Sequence, residues 1–70
     1  MNTNPVTRAI QIVGLYSLAK TCNVSYQAVL KWERKRIPAE RVLAVERATG
    51  GRISRYELRP DIYPVNEHIA

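Results

Sequence analysis

Gln27, Leu30, Lys31 and Arg34 stand three and four residues apart, so on a helix they share one face. An amide that both donates and accepts, an apolar side chain and two cations can read hydrogen-bonding edges and hold anions. In that role Gln27 offers adenine a bidentate pair, Lys31 donates to guanine O6 or N7, and Leu30 meets a thymine methyl. Tyr26 reaches base or backbone, and Ser25, at the head of the helix, offers a phosphate its hydroxyl and backbone N–H. Lys31, Arg34, Lys35 and Arg36 then form a basic run with only Glu33 against it, suited to gripping phosphates. Tyr16, Ser17 and Lys20, a short way upstream, add backbone contacts from the preceding helix.

These side chains need a helix pair held at a fixed angle. Leu15, Leu18, Ala19 and Cys22 give the first helix an apolar face, and Ala19 is the small residue needed where two helices cross closely. Four positions later Asn23 tolerates the left-handed backbone of a tight turn, and Val24 plugs the corner. Ser25 caps the second helix, whose inward side carries Val29 and Trp32, with Glu33 on its flank and Ile37 just beyond its end. The spacing from Val29 makes Trp32 a core residue in preference to a stacking platform.

Around the pair the pattern stays helical. Asn4 and Pro5 open a helix with Val6, Ala9, Ile10 and Val13 on one face, and Gly14 stops it. Pro38 restarts the chain into an amphipathic helix over 39–49 that contains Val42, Leu43, Val45 and Glu46 and is closed by Gly50 and Gly51. Ser54 and Glu57 form a capping box for one last turn, and Pro60 ends it. The fold class is therefore all-α, a small helix-turn-helix domain of about five short helices over residues 1–60. Residues 61–70 form a tail in which Ile62, Tyr63, Val65 and Ile69 pack on the domain or on a partner subunit. The short stretch 52–54 is ambiguous, and Arg52, Arg55 and Arg59 serve either as phosphate anchors or as solubilising charge.

Composition narrows the function. A net charge of +5 over 70 residues predicts attraction to polyanions. A domain this short buries only about 60% of its unfolded surface, so a partner would help its stability. The one cysteine, Cys22, falls on the apolar face and reads as a small buried hydrophobe, and His68 as a solvated surface residue. Together they give no metal-ligand spacing, and no cofactor is expected. The six carboxylates form no evident acid–base pair, no nucleophile has a base, and no glycine-rich phosphate loop is present, which argues against an enzyme and a small-molecule substrate. No apolar run approaches a membrane span or a leader, so a cytoplasmic protein is expected.

The segment from Gly14 to Lys31, GLYSLAKTCNVSYQAVLK, resembles the helix-turn-helix of Cro-type phage repressors. VSYQAVLKWERKRIPAERVLAVERATGG followed by SRYELRPDIYP is similar to the YdaS group of prophage Cro-like proteins, with Asn23 in place of the usual turn Gly and Tyr26 where that group often has Pro. The resemblance implies about five helices, operator DNA as partner, a role in the lysis–lysogeny switch and, for some members, an antitoxin label. It carries the positions of Ser25, Tyr26, Gln27, Lys31 and Arg34 onto a DNA interface.

Two functions from different classes follow. One is a transcriptional repressor in a bacterial host cell, at the nucleoid when bound, whose homodimer, at least on DNA, meets an inverted-repeat operator through the major groove. The other is an antitoxin-like interaction module with a toxin protein as partner and DNA binding secondary. Subunit contacts are expected around Tyr56, Leu58 and the tail.

Overall fold

A computed structural model describes residues 4–64, and among these it contains helices and turns and no strand. Helix α1 spans Pro5–Val13; Asn4 Oδ1 accepts from Val6 N at 2.8 Å, and Pro5 occupies a first-turn position where no donor is needed. Gly14 alone separates α1 from α2, Leu15–Cys22, with φ 91° and ψ 148°. A side chain rarely adopts that backbone, so the one-residue joint requires glycine. Helix α3 spans Tyr26–Arg34, α4 Val42–Ala48 and α5 Arg55–Leu58.

The apolar stripes converge on one core of Val6, Ala9, Leu18, Ala19, Cys22, Val29, Trp32, Ile37, Val42, Val45, Ile53 and Leu58. Helix α2 sits at its centre, packed against α1, α3 and α4, while α5 closes the far end against α4 and α1. Trp32 and Cys22 lie inside, as expected, and burial pushes the Cys22 thiol up from its ordinary value, partly countered by Arg41.

Three local expectations change. The helix foreseen over 39–49 begins as a 3-10 turn, Ala39–Arg41, with Arg41 N donating to Pro38 O at 2.9 Å. The tighter winding is common in a first turn. With Val42 and Val45 facing inward, Leu43 is left 39% exposed on the outer side. The capping box is half made: Ser54 Oγ accepts from Glu57 N at 3.3 Å, but the Glu57 carboxylate accepts from Arg8 Nη1 across the domain. The ambiguous stretch 52–54 holds a fully buried residue, Ile53, whose N–H donates to Thr49 Oγ1 at 3.1 Å while that hydroxyl donates to Glu46 O.

Leu58, one of the residues expected at a subunit contact, is buried in its own core. At the start of the expected tail, Ile62 N and Tyr63 N both donate to Arg59 O, and Tyr63 packs on the core. Ile62 stays 40% exposed. Val65, His68 and Ile69 lie outside the described residues. No helix among the described residues is long and apolar enough to cross a membrane.

Candidate nucleic-acid interface

The turn between α2 and α3 is built as expected and can be specified atom by atom. Asn23 has φ 62° and ψ 44°, its N–H donates to Lys20 O at 3.1 Å, and Val24 N donates to Ala19 O at 3.0 Å. That pair of bonds closes a Schellman turn, satisfying the last carbonyls of α2 while the chain reverses. Arg41 Nη1 donates to Cys22 O at 3.3 Å, placing a cation at the negative end of the α2 dipole. Ala19 and Val29, both buried, let the two helices approach.

Helix α3 is then clamped at its far end by α1. Asn4 Nδ2 donates to Glu33 O at 2.9 Å, so one side chain caps α1 and holds the last turn of α3. Thr7 Oγ1 donates to Glu33 Oε2 at 2.7 Å. Asn4 and Thr7 were not among the expected site residues, because they lie 29 and 26 residues away in sequence and no local spacing points to Glu33.

On the outer side of α3, Ser25, Tyr26, Gln27, Leu30, Lys31, Arg34 and Lys35 are all exposed, as are Tyr16, Ser17 and Lys20 on α2. Gln27, Leu30, Lys31, Arg34 and Lys35 line an open groove of about 440 Å³ along the helix. Ser25 Oγ accepts from Ala28 N at 3.2 Å, capping α3. The N–H groups of Tyr26 and Gln27, which have no acceptor within the helix, stay at its electropositive end. Tyr16 and Tyr26 meet edge to face with ring centroids 5.0 Å apart, tying the start of α2 to the start of α3.

The charge around this face is uncompensated. Among the described residues, Lys20, Lys31, Arg34 and Lys35 have no carboxylate within ion-pair distance, and Glu33, expected to sit against the basic run, is turned away to Thr7. The run is shorter than expected in one respect. Arg36 Nη1 lies 3.5 Å from Asp61 Oδ2, a neighbour 25 residues on that the basic run could not reveal. Arg55 pairs with Glu46, and Arg59 grips Asp61 with two nitrogens and donates to Ile37 O, so both arginines have structural partners. Arg52 remains exposed. The described residues contain no group of three or more His, Cys, Asp or Glu placed to hold a metal ion.

A turn-linked helix pair on a helical core, with its second helix presenting an exposed polar and cationic face, defines a helix-turn-helix protein of the Cro type. Residues 6–67 match the family described as Bacterial toxin YdaS, and the chain belongs to that family. It is 43% identical over 58 residues to the putative transcriptional regulator YdaS of Escherichia coli (strain K12), an overlap of 79% of this chain and 59% of that relative's length. Its structure is similar to that of the Cro protein from putative prophage element Xfaso 1 in Xylella fastidiosa strain Ann-1. The TM-score is 0.84 at 37% identity, covering 90% of this chain and 100% of that one.

Proposed function

We propose that the protein is a sequence-specific double-stranded DNA-binding regulator, a prophage Cro-type repressor that lays α3 in the major groove of an inverted-repeat operator. One observation carries this reading: the outward face of α3 combines groove-reading side chains with cations that no carboxylate of the described fold neutralises. Counter-charge from phosphates completes it. Gln27, Lys31, Tyr26 and Leu30 contact bases. Ser25, Arg34, Lys35, Arg36, Tyr16, Ser17 and Lys20 contact phosphates, Arg36 on release from Asp61. A homodimer places two such helices in successive major grooves about one helical turn apart. The names of the two relatives, a transcriptional regulator and a Cro protein, support the same reading.

Fluorescence anisotropy against the chain's own upstream intergenic duplex and a scrambled duplex, at two salt concentrations, tests it. Tight binding to the native duplex that Gln27→Ala and Lys31→Ala each weaken by about 1–3 kcal/mol, with binding to the scramble little changed, is the expected result. Equal, steeply salt-dependent binding to both duplexes would reduce the face to a basic surface and end the proposal.

The toxin description of the family favours a second reading, a protein-interaction module in a toxin–antitoxin pair. A neighbouring gene for a toxic protein, and a tight complex of its product with this chain in solution, separate the two. A complex that the Gln27→Ala/Lys31→Ala double variant retains would favour an antitoxin-like module, whereas no complex would leave the DNA-binding reading alone.

A further inference from the structure

The outer side of α4 carries a pattern that the α3 face does not use. Glu40, Leu43 and Arg47 are exposed at i, i+3 and i+7 along the 3-10 turn and the helix that follows it, while Val42 and Val45 point into the core. Leu43 is 39% exposed, one of the larger apolar side chains left outside. Neither Glu40 nor Arg47 has an ion-pair partner among the described residues, although Glu46, beside Arg47 in the chain, is paired to Arg55 at 2.9 Å. The stripe therefore reads acid, apolar, base from one end to the other.

We propose that this stripe is the contact with a second copy of the chain, two α4 helices crossing antiparallel about a two-fold axis. Leu43 then packs against Leu43 of the second copy, and Glu40 of each copy faces Arg47 of the other. A two-fold axis makes residue i touch j while j touches i, so it turns the stripe end for end. An acid–apolar–base order is complementary to itself under that operation, and a parallel arrangement would set like charges together. A uniformly acidic or basic partner would match one end of the stripe and repel the other.

The position suits the proposed regulator without depending on it. Helix α4 packs on α2 and α5, and α3 packs on α2 and α1, and the groove along α3 and the hollow beside Leu43 and Arg47 share no residue. A dimer joined through α4 leaves both α3 faces open. One leucine per copy and two rim ion pairs make a contact below the roughly 1,200 Å² typical of stable complexes, and exposed pairs contribute little each. The free dimer is accordingly weak, and a shared operator would consolidate it by holding two copies side by side.

Sedimentation equilibrium of the full chain, from micromolar to millimolar concentration, tests the interface without DNA. The wild-type chain is expected to approach dimer mass. Leu43→Asp, Glu40→Arg and Arg47→Glu are each expected to raise the dissociation constant about tenfold or more. Mixing Glu40→Arg with Arg47→Glu is expected to restore association, because one variant's stripe is basic at both ends and the other's is acidic at both. Unchanged circular dichroism in the variants shows that each remains folded. A wild-type chain that stays monomeric at millimolar concentration would overturn the interface, as would association that ignores Leu43→Asp or a mixture no tighter than its components. Failure here leaves the Gln27 and Lys31 result untouched, and failure of that result leaves this one standing.

Discussion

The cations of the α5 side and those of the α2–α3 face have the same chemistry and opposite circumstances. On the α5 side Arg8 meets Glu57, Arg55 meets Glu46, and Arg59 and Arg36 share Asp61. On the α2–α3 face Lys20, Lys31, Arg34 and Lys35 have no acid within ion-pair distance among the described residues, and the carboxylate nearest in sequence, Glu33, is turned inward to Thr7. Like charges held together repel, so this face stores an electrostatic cost that an anionic partner would relieve. Charge placement, more than the net charge of +5, distinguishes the two regions.

The comparison breaks most completely if the core beneath both regions is removed. Leu18→Ala, at a fully buried position on α2, is expected to cost about 2–5 kcal/mol and unfold much of a domain this small at ambient temperature. Denaturant melts check it, and a loss under 1 kcal/mol would mean that α2 is not the central element.

Next in size is the contrast between a face residue and a paired one. Lys31→Ala is expected to leave stability within about 0.5 kcal/mol while weakening operator binding by about 1–3 kcal/mol. Arg55→Ala should do the reverse, losing its bond to Glu46 with little effect on DNA affinity. Paired melts and titrations of the two variants measure this, and equal DNA losses would erase the distinction between the regions.

The turn that aims α3 gives a smaller effect. Asn23→Ala puts a side chain with no local hydrogen-bonding capacity at φ 62° and is expected to cost about 1–2 kcal/mol, whereas Asn23→Gly should be neutral or stabilising, seen as opposite shifts in melting temperature. Gly50, at φ 64° in the equivalent turn after α4, already has the unstrained residue.

The smallest effect concerns pH. The Arg59 guanidinium holds the Asp61 carboxyl down to about 2, below the ordinary value of about 3.9. Folding therefore favours the ionised form, and the resulting stability is fully present above about pH 4 and lost as pH falls through about 2. Melts between pH 5 and pH 2 should show a shallower decline in Asp61→Asn than in the wild type, and parallel curves would contradict the pairing.

Much of this was legible from residues that act on near neighbours. The caps at Asn4, Ser25 and Ser54, the turn at Asn23 and the inward pair Val29 and Trp32 each involve partners within about one turn of helix, so residue type and spacing define them. The outward face of α3 followed from the same register. The half-made capping box shows where that logic ends: Ser54 and Glu57 have the right spacing, yet Arg8, 49 residues away, takes the carboxylate.

The sequence by itself determined the helices, the helix-turn-helix and the set of side chains that α3 turns outward, because periodicity and capping are properties of a few consecutive residues. Only the tertiary structure decided which cations pair within the described fold, since a carboxylate chooses its partner by distance in space: Glu33 and Glu57 turned to residues 26 and 49 positions away, and Asp61, held by its neighbour Arg59, also reaches Arg36, 25 positions back. It likewise buried Ile37 and Ile53, which lie outside any helix and have no period to announce them. By turning Val42 and Val45 inward, it left Leu43 exposed between Glu40 and Arg47, which have no ion-pair partner among the described residues.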